Sequence, residues 1–201
     1  MASSTEIANL VLGHLAVGKD IGNLETESST EARVIRRYYA AARDATLRDY
    51  AWPFATKFVA LALVEEEPTT EWGFSYRYPS DCLEIRRILS GVRNDSRQSR
   101  APYKIGQDSA GLLLYTDEED AQVEYTMRET DPQRFPPDFM LAFSFYLAML
   151  TAPALTAGDQ FKLGERAGKL YAFEIGRAAS RGFNEEQPEE PPEAEAIRGR
   201  E

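Results

Sequence analysis

One apolar stretch late in the chain decides the fold, and it reads FPPDFMLAFSFYLAMLT over residues 135–151. Proline in the first turn of a helix loses no hydrogen bond, so this stretch predicts a helix over residues 138–151 that Pro153 ends or bends. A helix that is apolar on nearly every face must be covered on several sides. We expect it to be the central helix of a bundle, with part of its surface, including Phe143 and Tyr146, in a subunit interface.

Two helices are predicted ahead of this stretch, over residues 5–17 and 28–50. The second has the clearer start, because Ser28 and Glu31 have the spacing of a capping box, in which both side chains satisfy free backbone N–H groups. Pro53 follows this helix and is expected to stop it. Both helices carry apolar residues at helical spacing, so each is expected to bury one face.

A fourth helix is predicted over residues 158–181. Its expected buried positions are Phe161, Ala167, Leu170, Tyr171, Ile175 and Ala178. The helix also contains Gly164, Gly168 and Gly176. Each glycine costs about 1 kcal/mol against alanine in a helix interior, so close approach of a neighbouring backbone is the expected compensation.

Five arginines share one arc of the second helix when its residues are placed 100° apart. They are Arg33, Arg36, Arg37, Arg43 and Arg48. One interpretation is a solvated charged face, and another is a surface that docks a neighbouring subunit or a partner. Binding of nucleic acid by this face is disfavoured because the whole chain is acidic.

The middle of the chain changes to alternating periodicity, which is typical of half-buried strands. Strands are expected over residues 57–64, 72–78, 83–89, 103–105, 111–115 and 121–127. The glutamate-rich segment 65–70 and the polar segment 90–101 are predicted to be loops. Short strands at this spacing favour an antiparallel meander.

The composition excludes several classes of protein. The chain has 201 residues, of which 43% are hydrophobic and 28% charged, a mixture typical of globular proteins. Its formal net charge of −10 argues against a general nucleic-acid binder, which needs a basic surface to replace phosphate counterions. The single cysteine, Cys82, excludes a disulfide framework within the chain. The start lacks the features of a secretory signal, and the apolar run is too short to span a bilayer, so we expect a protein made in the cytoplasm that enters no membrane.

The C-terminal segment, residues 184–201, holds seven glutamates, two arginines and three prolines, and its charge of −5 is half that of the chain. Such a composition buries too little apolar surface to fold alone, which predicts a flexible acidic tail. The tail either solvates the protein or orders on a partner. In the second case its contact residues are expected to be Glu185, Glu186, Glu189 and Glu190.

No set of residues identifies a reaction. His14 is the only histidine, and no second ligand type stands near it at metal spacing. Cys82 has no histidine close in sequence, so a small buried hydrophobic side chain is expected there. The carboxylates of residues 65–67 and 117–120 fall in predicted polar turns, where exposed acids rarely catalyse. The sequence therefore predicts neither a catalytic centre nor a cofactor or metal site, and we expect the protein not to be an enzyme.

These patterns together predict an α+β protein that is mainly α. Residues 1–55 and 131–183 are expected to form a bundle of about four helices. Residues 56–130 are expected to form an antiparallel β-rich insertion, followed at the end of the chain by the acidic tail of residues 184–201.

Three segments carry a resemblance to a known family. They are EARVIRRYYAAARDATLRDYAWPFA over residues 31–55, YRYPSDCLEIRRI over residues 76–88 and FPPDFMLAFSFYLAMLTAPALT over residues 135–156. With the opening helix they resemble the tail tubular protein A family, the head-to-tail adaptors of short-tailed bacteriophages, over roughly residues 5–181. The most specific parts are the Trp-Pro pair after the arginine-rich helix and the turn YPSDCL at residues 78–83.

The resemblance implies a structural protein of the virion, placed in the tail or neck and made in the cytoplasm of the bacterial host. It implies a ring of twelve copies between the portal protein and a tail nozzle of the tail tubular protein B type. DNA then passes through the lumen during packaging and ejection without specific binding. We expect the helical residues to contact the portal and neighbouring copies, and residues 56–130 to reach toward the nozzle.

Two other classes of function stay open. A DNA-binding or regulatory helical module would use the five arginines of the second helix and would bind duplex DNA with a steep salt dependence. A hydrolase that degrades cell wall would need clustered carboxylates in a cleft.

Overall fold

The computed structural model of the chain describes residues 3–91 and 100–185. Over these residues the chain forms four α-helices, seven β-strands and two single turns of 3₁₀-helix at Pro53–Ala55 and Pro132–Arg134. The helices are α1 (Ser4–His14), α2 (Thr30–Asp49), α3 (Pro137–Leu155) and α4 (Leu163–Glu185). The strands are β1 (Thr56–Ala60), β2 (Leu63–Thr69), β3 (Trp72–Arg77), β4 (Cys82–Ile88), β5 (Tyr103–Asp108), β6 (Gly111–Thr116) and β7 (Gln122–Met127). The predicted α+β class is therefore confirmed.

The apolar helix α3 packs against α1, α2 and α4. Phe139, Phe143 and Leu147 along its length are fully buried. Trp52, which follows α2, meets Phe139 edge to face, with ring centroids 5.1 Å apart. Because neighbours cover α3 on several sides, a sequence without a polar face is stable there.

By length and composition alone α3 could also cross a membrane, since it has 19 residues and a mean hydropathy of 1.5. Half of this stretch is buried inside the protein. A buried core helix has the same length and composition, and the packing against three other helices accounts for α3 in this way.

The start of α2 differs from the predicted capping box by one residue. Ser29, not Ser28, is the N-cap, and its hydroxyl oxygen accepts a hydrogen bond from the N–H of Ala32 at 3.3 Å. Glu31 therefore falls one position too early to complete the box. Its carboxylate instead pairs with Lys19 in the preceding loop at 2.8 Å.

Pro153 does not end α3, which continues to Leu155. The proline lies near the end of the helix, where its fixed φ is helical and its missing N–H removes one hydrogen bond. The N–H of Thr156 still donates to the carbonyl oxygen of Ala152 at 2.9 Å, so the final turn closes.

The predicted start of α4 is wrong, because the chain between α3 and α4 has left-handed backbone that no helix can include. The residues with positive φ are Ala157, Gly158, Asp159 and Lys162. The carboxylate of Asp159 then accepts a hydrogen bond from the N–H of Gly164 at 3.0 Å and satisfies the first turn of the helix. Phe161 lies ahead of α4 and is 81% exposed, so its predicted burial is also wrong.

Helix α4 contains four glycines, and close approach of a neighbouring backbone was predicted at three of them. It is confirmed at Gly164, where a Cβ would lie 3.3 Å from the carbonyl oxygen of Met149, whereas the near neighbours of Gly168 are side-chain atoms. A Cβ at Gly164 would lie 2.8 Å from the Cβ of Ala152, and a Cβ at Gly168 would lie 3.0 Å from the Sδ of Met149. At Gly176 no described atom outside the helix lies within 4 Å of that position, so the prediction is wrong there.

The strands form two antiparallel sheets. The smaller sheet has the order β1-β7-β4, and the larger sheet has the order β2-β3-β6-β5. Antiparallel pairing was predicted correctly, but the single meander is wrong, because β4 leaves its neighbour β3 and pairs with β7. Pairs between strands so far apart in sequence leave no signal in local turns.

The glutamate-rich segment predicted as a loop belongs to strand β2, at the edge of the larger sheet. Glu65, Glu66 and Glu67 are exposed, so their carboxylates stay solvated although the backbone is extended. Pro68 and the register shift between Glu66 and Thr69 limit pairing along the second half of this edge strand.

The facing sides of the two sheets enclose a second apolar core. Tyr76 and Leu114 of the larger sheet pack with Val123 and Tyr125 of the smaller one, and all four are almost fully buried. The first core lies around α3 and contains buried residues of all four helices.

Arg86 of β4 joins the strands to the end of α2. Its guanidinium donates to the carbonyl oxygens of Arg48 at 2.9 Å and Tyr50 at 3.1 Å, and to the hydroxyl of Thr126 at 2.8 Å. The last carbonyls of a helix lack partners in the helix and carry partial negative charge. The arginine satisfies them and holds the smaller sheet against the helices.

Candidate interaction surfaces

A cleft of about 730 Å³ opens where the two sheets meet. It is lined by residues 78–82 and by the charged side chains of Lys57, Arg77 and Arg128. Residues 78–82 belong to the turn YPSDCL, one of the two most specific parts of the resemblance. The cleft is therefore one candidate functional site.

Asp81 holds the centre of this cleft through two hydrogen bonds. Its carboxylate accepts from the hydroxyl of Tyr125 at 2.9 Å and from the ammonium of Lys57 at 3.0 Å. Partial burial opposes ionisation, but the bonds from Lys57 and Tyr125 outweigh it and hold the pKa of Asp81 below its usual range. An ionised carboxylate tied in this way fixes the turn against the smaller sheet.

Cys82 is half-buried rather than fully buried as predicted, and its thiol donates to the hydroxyl of Tyr78, with sulfur and oxygen 3.1 Å apart. Burial raises the pKa of the thiol to about 11. A thiol with this pKa stays protonated at neutral pH and is a poor nucleophile. Cys82 therefore supports the packing of the turn.

The cations of the cleft are bound to carboxylates of the same chain. Arg77 pairs with Asp108 at 2.9 Å, and Arg128 pairs with Asp44 at 2.9 Å. In the part of the chain that the structure describes, no group of three histidine, cysteine, aspartate or glutamate side chains is placed to hold a metal ion. The geometry suits a contact surface of mixed polar and apolar character that is stiffened by ion pairs.

The five arginines of α2 do not form one exposed stripe, as their helical placement predicted. Arg43 is only 9% exposed and pairs with Asp44 at 2.7 Å, so it lies on the flank of the buried face. Arg36 donates to the carbonyl oxygens of Leu24 and Glu25 and anchors the loop ahead of the helix. The exposed members of the set are Arg33, Arg37 and Arg48.

The two aromatic residues of α3 that were predicted at an interface lie in different environments. Phe143 is fully buried against Tyr39, with ring centroids 5.0 Å apart, and has no surface to offer a partner. Tyr146 is half-buried and packs on Tyr171, with ring centroids 4.8 Å apart. Only Tyr146 is accessible in the single chain.

His14 is half-buried and packs on α3. Its Nε2 lies 2.9 Å from the hydroxyl oxygen of Ser144, and its ring stacks on Phe145 with centroids 4.1 Å apart. Burial lowers the pKa of the imidazole below its ordinary value of 6.5. The neutral ring is thus the form that this environment stabilises.

The acidic tail lies almost entirely outside the described residues. Glu186, Glu189 and Glu190 fall beyond them, and Glu185 is the last residue of α4. The predicted contacts of these four glutamates therefore stay a prediction.

Exposed apolar side chains mark a surface that sequence reasoning missed. Within residues 56–130, here called the strand region, they are Phe58, Leu63, Val64, Ile105 and Leu112, and between 43% and 60% of each residue is exposed. Leu63 and Ile105 lie on the two edge strands of the larger sheet. Their aliphatic character was visible in the sequence, but their edge positions depend on strand order, which the sequence does not reveal.

The chain matches no protein-family model and no curated protein sequence.

Proposed function

We propose that the chain is a structural protein of a bacteriophage virion, the head-to-tail adaptor in the neck between the portal and the tail nozzle. In this proposal twelve copies form a ring around the DNA channel. The partners are the portal protein, the nozzle protein and neighbouring copies, and DNA passes without specific binding. The observation that carries the proposal is the set of exposed apolar side chains on the strand region.

These side chains lie on several sides of the strand region, as a subunit with several neighbours requires. Phe58 projects from the smaller sheet and is 60% exposed, whereas Leu63 and Ile105 lie at opposite edges of the larger sheet. Burial of apolar surface stabilises association by about 25 cal/mol per Å². Single exposed apolar residues are ordinary, but aliphatic side chains at both edges of one sheet favour contacts with further chains.

We further propose that the helices form a bundle, built from residues 1–55 and 131–183, that carries the portal contacts. The exposed side chains of Arg33, Arg37 and Arg48 give α2 a positive surface in a chain of net charge −10. Such a surface suits an acidic patch on a portal or on a neighbouring copy. Residues 56–130 then reach toward the nozzle.

The charge of the assembly supports a passive conduit for DNA. Twelve copies at −10 each carry a formal charge of about −120. A surface that does not neutralise phosphates releases no counterions and binds duplex DNA weakly. Mutual repulsion of the copies is screened by salt, so the repulsion that opposes ring formation is expected to decrease as the ionic strength rises.

The test mixes the full chain with portal rings purified from the phage whose genome encodes it, and follows the mixture by sedimentation. We expect the chain to co-sediment with the portal, and the variant with Arg33→Glu and Arg37→Glu to lose binding. The matched variant Phe58→Asp, changed on the side assigned to the nozzle, is expected to keep portal binding. Failure of the unaltered chain to co-sediment at any concentration would overturn the proposal.

A parallel binding assay with duplex DNA separates the adaptor from the DNA-binding module. The adaptor has little affinity for duplex DNA near physiological salt. A DNA-binding module has measurable affinity that falls steeply as salt rises.

A further inference from the structure

We infer that copies of the chain join side by side through opposite edges of the larger sheet, with β5 of one copy antiparallel to β2 of the next. The inference rests on the proposed function, because it names the contact through which the ring closes. It places that contact within residues 56–130, whereas the expectation from the resemblance places neighbouring copies against the helical residues. It accounts for exposed aliphatic side chains that neither the cleft nor the helical core uses.

The outer edge of β5 is regular and pairs with no strand of the described ranges. The N–H of Tyr78 donates to the carbonyl oxygen of Leu112 at 3.1 Å, so the backbone groups of Leu112 face β3. Those of the next residue, Leu113, face β5, where the partner is Gly106. Alternate residues of β5 therefore direct their N–H and C=O groups outward. They are Tyr103, Ile105 and Gln107.

The outer edge of β2 is open over its first half. The N–H of Arg77 donates to the carbonyl oxygen of Ala62 at 2.8 Å, so the adjacent residue of β3, Tyr76, faces away from β2. Its partner Leu63 is left with backbone groups that point outward. The pairing of β2 with β3 shifts in register twice, between Leu63 and Glu65 and again between Glu66 and Thr69, and the second shift limits the free edge to residues 63–66.

One row of directly opposite residues crosses the larger sheet. It consists of Leu63, Tyr76, Leu114 and Ile105. Side chains directly opposite one another lie on the same face, and the two inner ones are buried. At the two ends of the row Leu63 is 50% exposed and Ile105 is 47% exposed.

Placing Leu63 of the next copy opposite Ile105 extends this row across the boundary between copies. Both residues have outward-facing backbone groups, so they can exchange two hydrogen bonds as an ordinary antiparallel pair. The same placement buries both aliphatic side chains against each other. An open strand edge is a template for such pairing.

The charges of the two edges support the same register. Within the chain, a bulge at residue 64 brings Glu65 opposite the residue of β3 that precedes Tyr76. The same spacing on the outer side places Glu65 of the next copy opposite Lys104. Both side chains are exposed, and opposite charges at opposite positions stabilise paired strands. A second β5 at this edge would instead bring the Lys104 side chains of two copies close together.

The topology makes the contact head-to-tail. The edge strands of a four-stranded antiparallel sheet run in opposite directions, so a copy repeated without inversion continues the antiparallel order. Each copy uses β5 toward one neighbour and β2 toward the other, which is a heterologous interface. Such an interface closes into a ring when the rotation between neighbouring copies equals a full turn divided by the number of copies.

Disulfide cross-linking of full-length chains tests this register. In a Cys82→Ser background, one chain carries Ile105→Cys and another carries Leu63→Cys. Directly opposite hydrogen-bonded residues have Cα atoms about 5.5 Å apart, within the range that a disulfide spans. We expect cross-linked dimers when the two chains are mixed and none from either chain alone. The control chain with Phe58→Cys, exposed on the other sheet, is expected not to cross-link with Leu63→Cys.

Charge exchange provides a second test that introduces no cysteine. Lys104→Glu and Glu65→Lys are each expected to weaken self-association in sedimentation equilibrium, and the double variant is expected to restore it. Absence of the mixed cross-link at concentrations up to about 1 mM overturns the pairing, as does cross-linking of Ile105→Cys with itself.

The two proposals fail separately. A chain that binds the portal without the mixed cross-link keeps the adaptor role and loses this interface. A chain that cross-links without binding any portal keeps the interface and loses the adaptor role.

Discussion

The close approach of α4 to α3 can be measured by changing glycines of one helix to alanine. At Gly164 an added Cβ would lie 2.8 Å from the Cβ of Ala152 and 3.3 Å from the carbonyl oxygen of Met149. Neither atom can move unless α3 shifts, and such overpacking typically costs about 1–3 kcal/mol. The gain from alanine in a helix is at most about 1 kcal/mol. We therefore expect Gly164→Ala to lower the free energy of unfolding by about 1–2 kcal/mol.

Two other glycines of α4 provide matched controls. At Gly168 the nearest atom is the Sδ of Met149 at 3.0 Å, on a flexible side chain that can move aside, so Gly168→Ala is expected to change stability by less than about 0.5 kcal/mol. At Gly176 the space is open, and alanine is expected to raise stability by about 0.5–1 kcal/mol.

The assay is urea unfolding followed by circular dichroism, supported by thermal unfolding. A change of 1 kcal/mol shifts the melting temperature of a chain of this size by about 2–4 °C. Gly164→Ala and Gly176→Ala should then differ by about 1.5–3 kcal/mol, which corresponds to roughly 3–12 °C. If all three variants unfold with the same free energy within about 0.5 kcal/mol, the close helix contact is refuted.

Three further predictions concern single side chains. Arg86→Ala should lower the free energy of unfolding by about 2–3 kcal/mol, because several carbonyls lose a charged donor, whereas Arg87→Ala breaks one ion pair and should cost at most about 1 kcal/mol. Equal losses of unfolding free energy for the two variants in urea would contradict the role of Arg86 in joining β4 to the end of α2. Burial lowers the pKa of His14, so the unfolded chain binds the proton more tightly and stability should fall as pH drops below the ordinary pKa of 6.5. His14→Gln should lose that part of the pH dependence of the unfolding free energy. The same dependence on pH in the variant and the unaltered chain would contradict the lowered pKa of His14. With its pKa raised to about 11, Cys82 should react with iodoacetamide at pH 8 roughly a hundredfold more slowly than a small free thiol, as mass spectrometry can measure, and equal rates would show an accessible thiolate.

The elements with strong periodicity were predictable from the sequence. The apolar stretch of α3 specifies a covered helix, because no other environment accommodates apolar side chains all round. Alternating aromatics specified β3 within one residue at its C-terminal end, which is residue 78 in the prediction and Arg77 in the structure. Local patterns of this kind depend only on neighbours in sequence.

The strand pairs and the arginine environments were not predictable in the same way. β2 looks like a polar loop because its glutamates are exposed at a sheet edge, and edge position follows from the order of all the strands. Arg43 was placed on the polar side of α2 by angle alone, yet Asp44 pairs both with Arg43 and with Arg128, which follows β7, so an ion-pair network lies there. Such contacts join residues far apart in sequence.

Only part of the lining of the cleft could be predicted from the sequence. The turn YPSDCL was singled out by resemblance, but its charged neighbours Lys57 and Arg128 come from β1 and from the segment after β7. The exposed ends of the Leu63–Ile105 row had no signal in the sequence, because only the strand register shows that they share one face.

The most direct test of the central claim is the mass of portal rings after incubation with the full chain, measured by mass photometry and imaged by electron microscopy. Twelve copies of a 22.6 kDa chain should add about 271 kDa and appear as a closed collar at one end of the portal. Portal particles whose mass and outline stay unchanged at saturating concentrations of the chain would contradict the proposed adaptor.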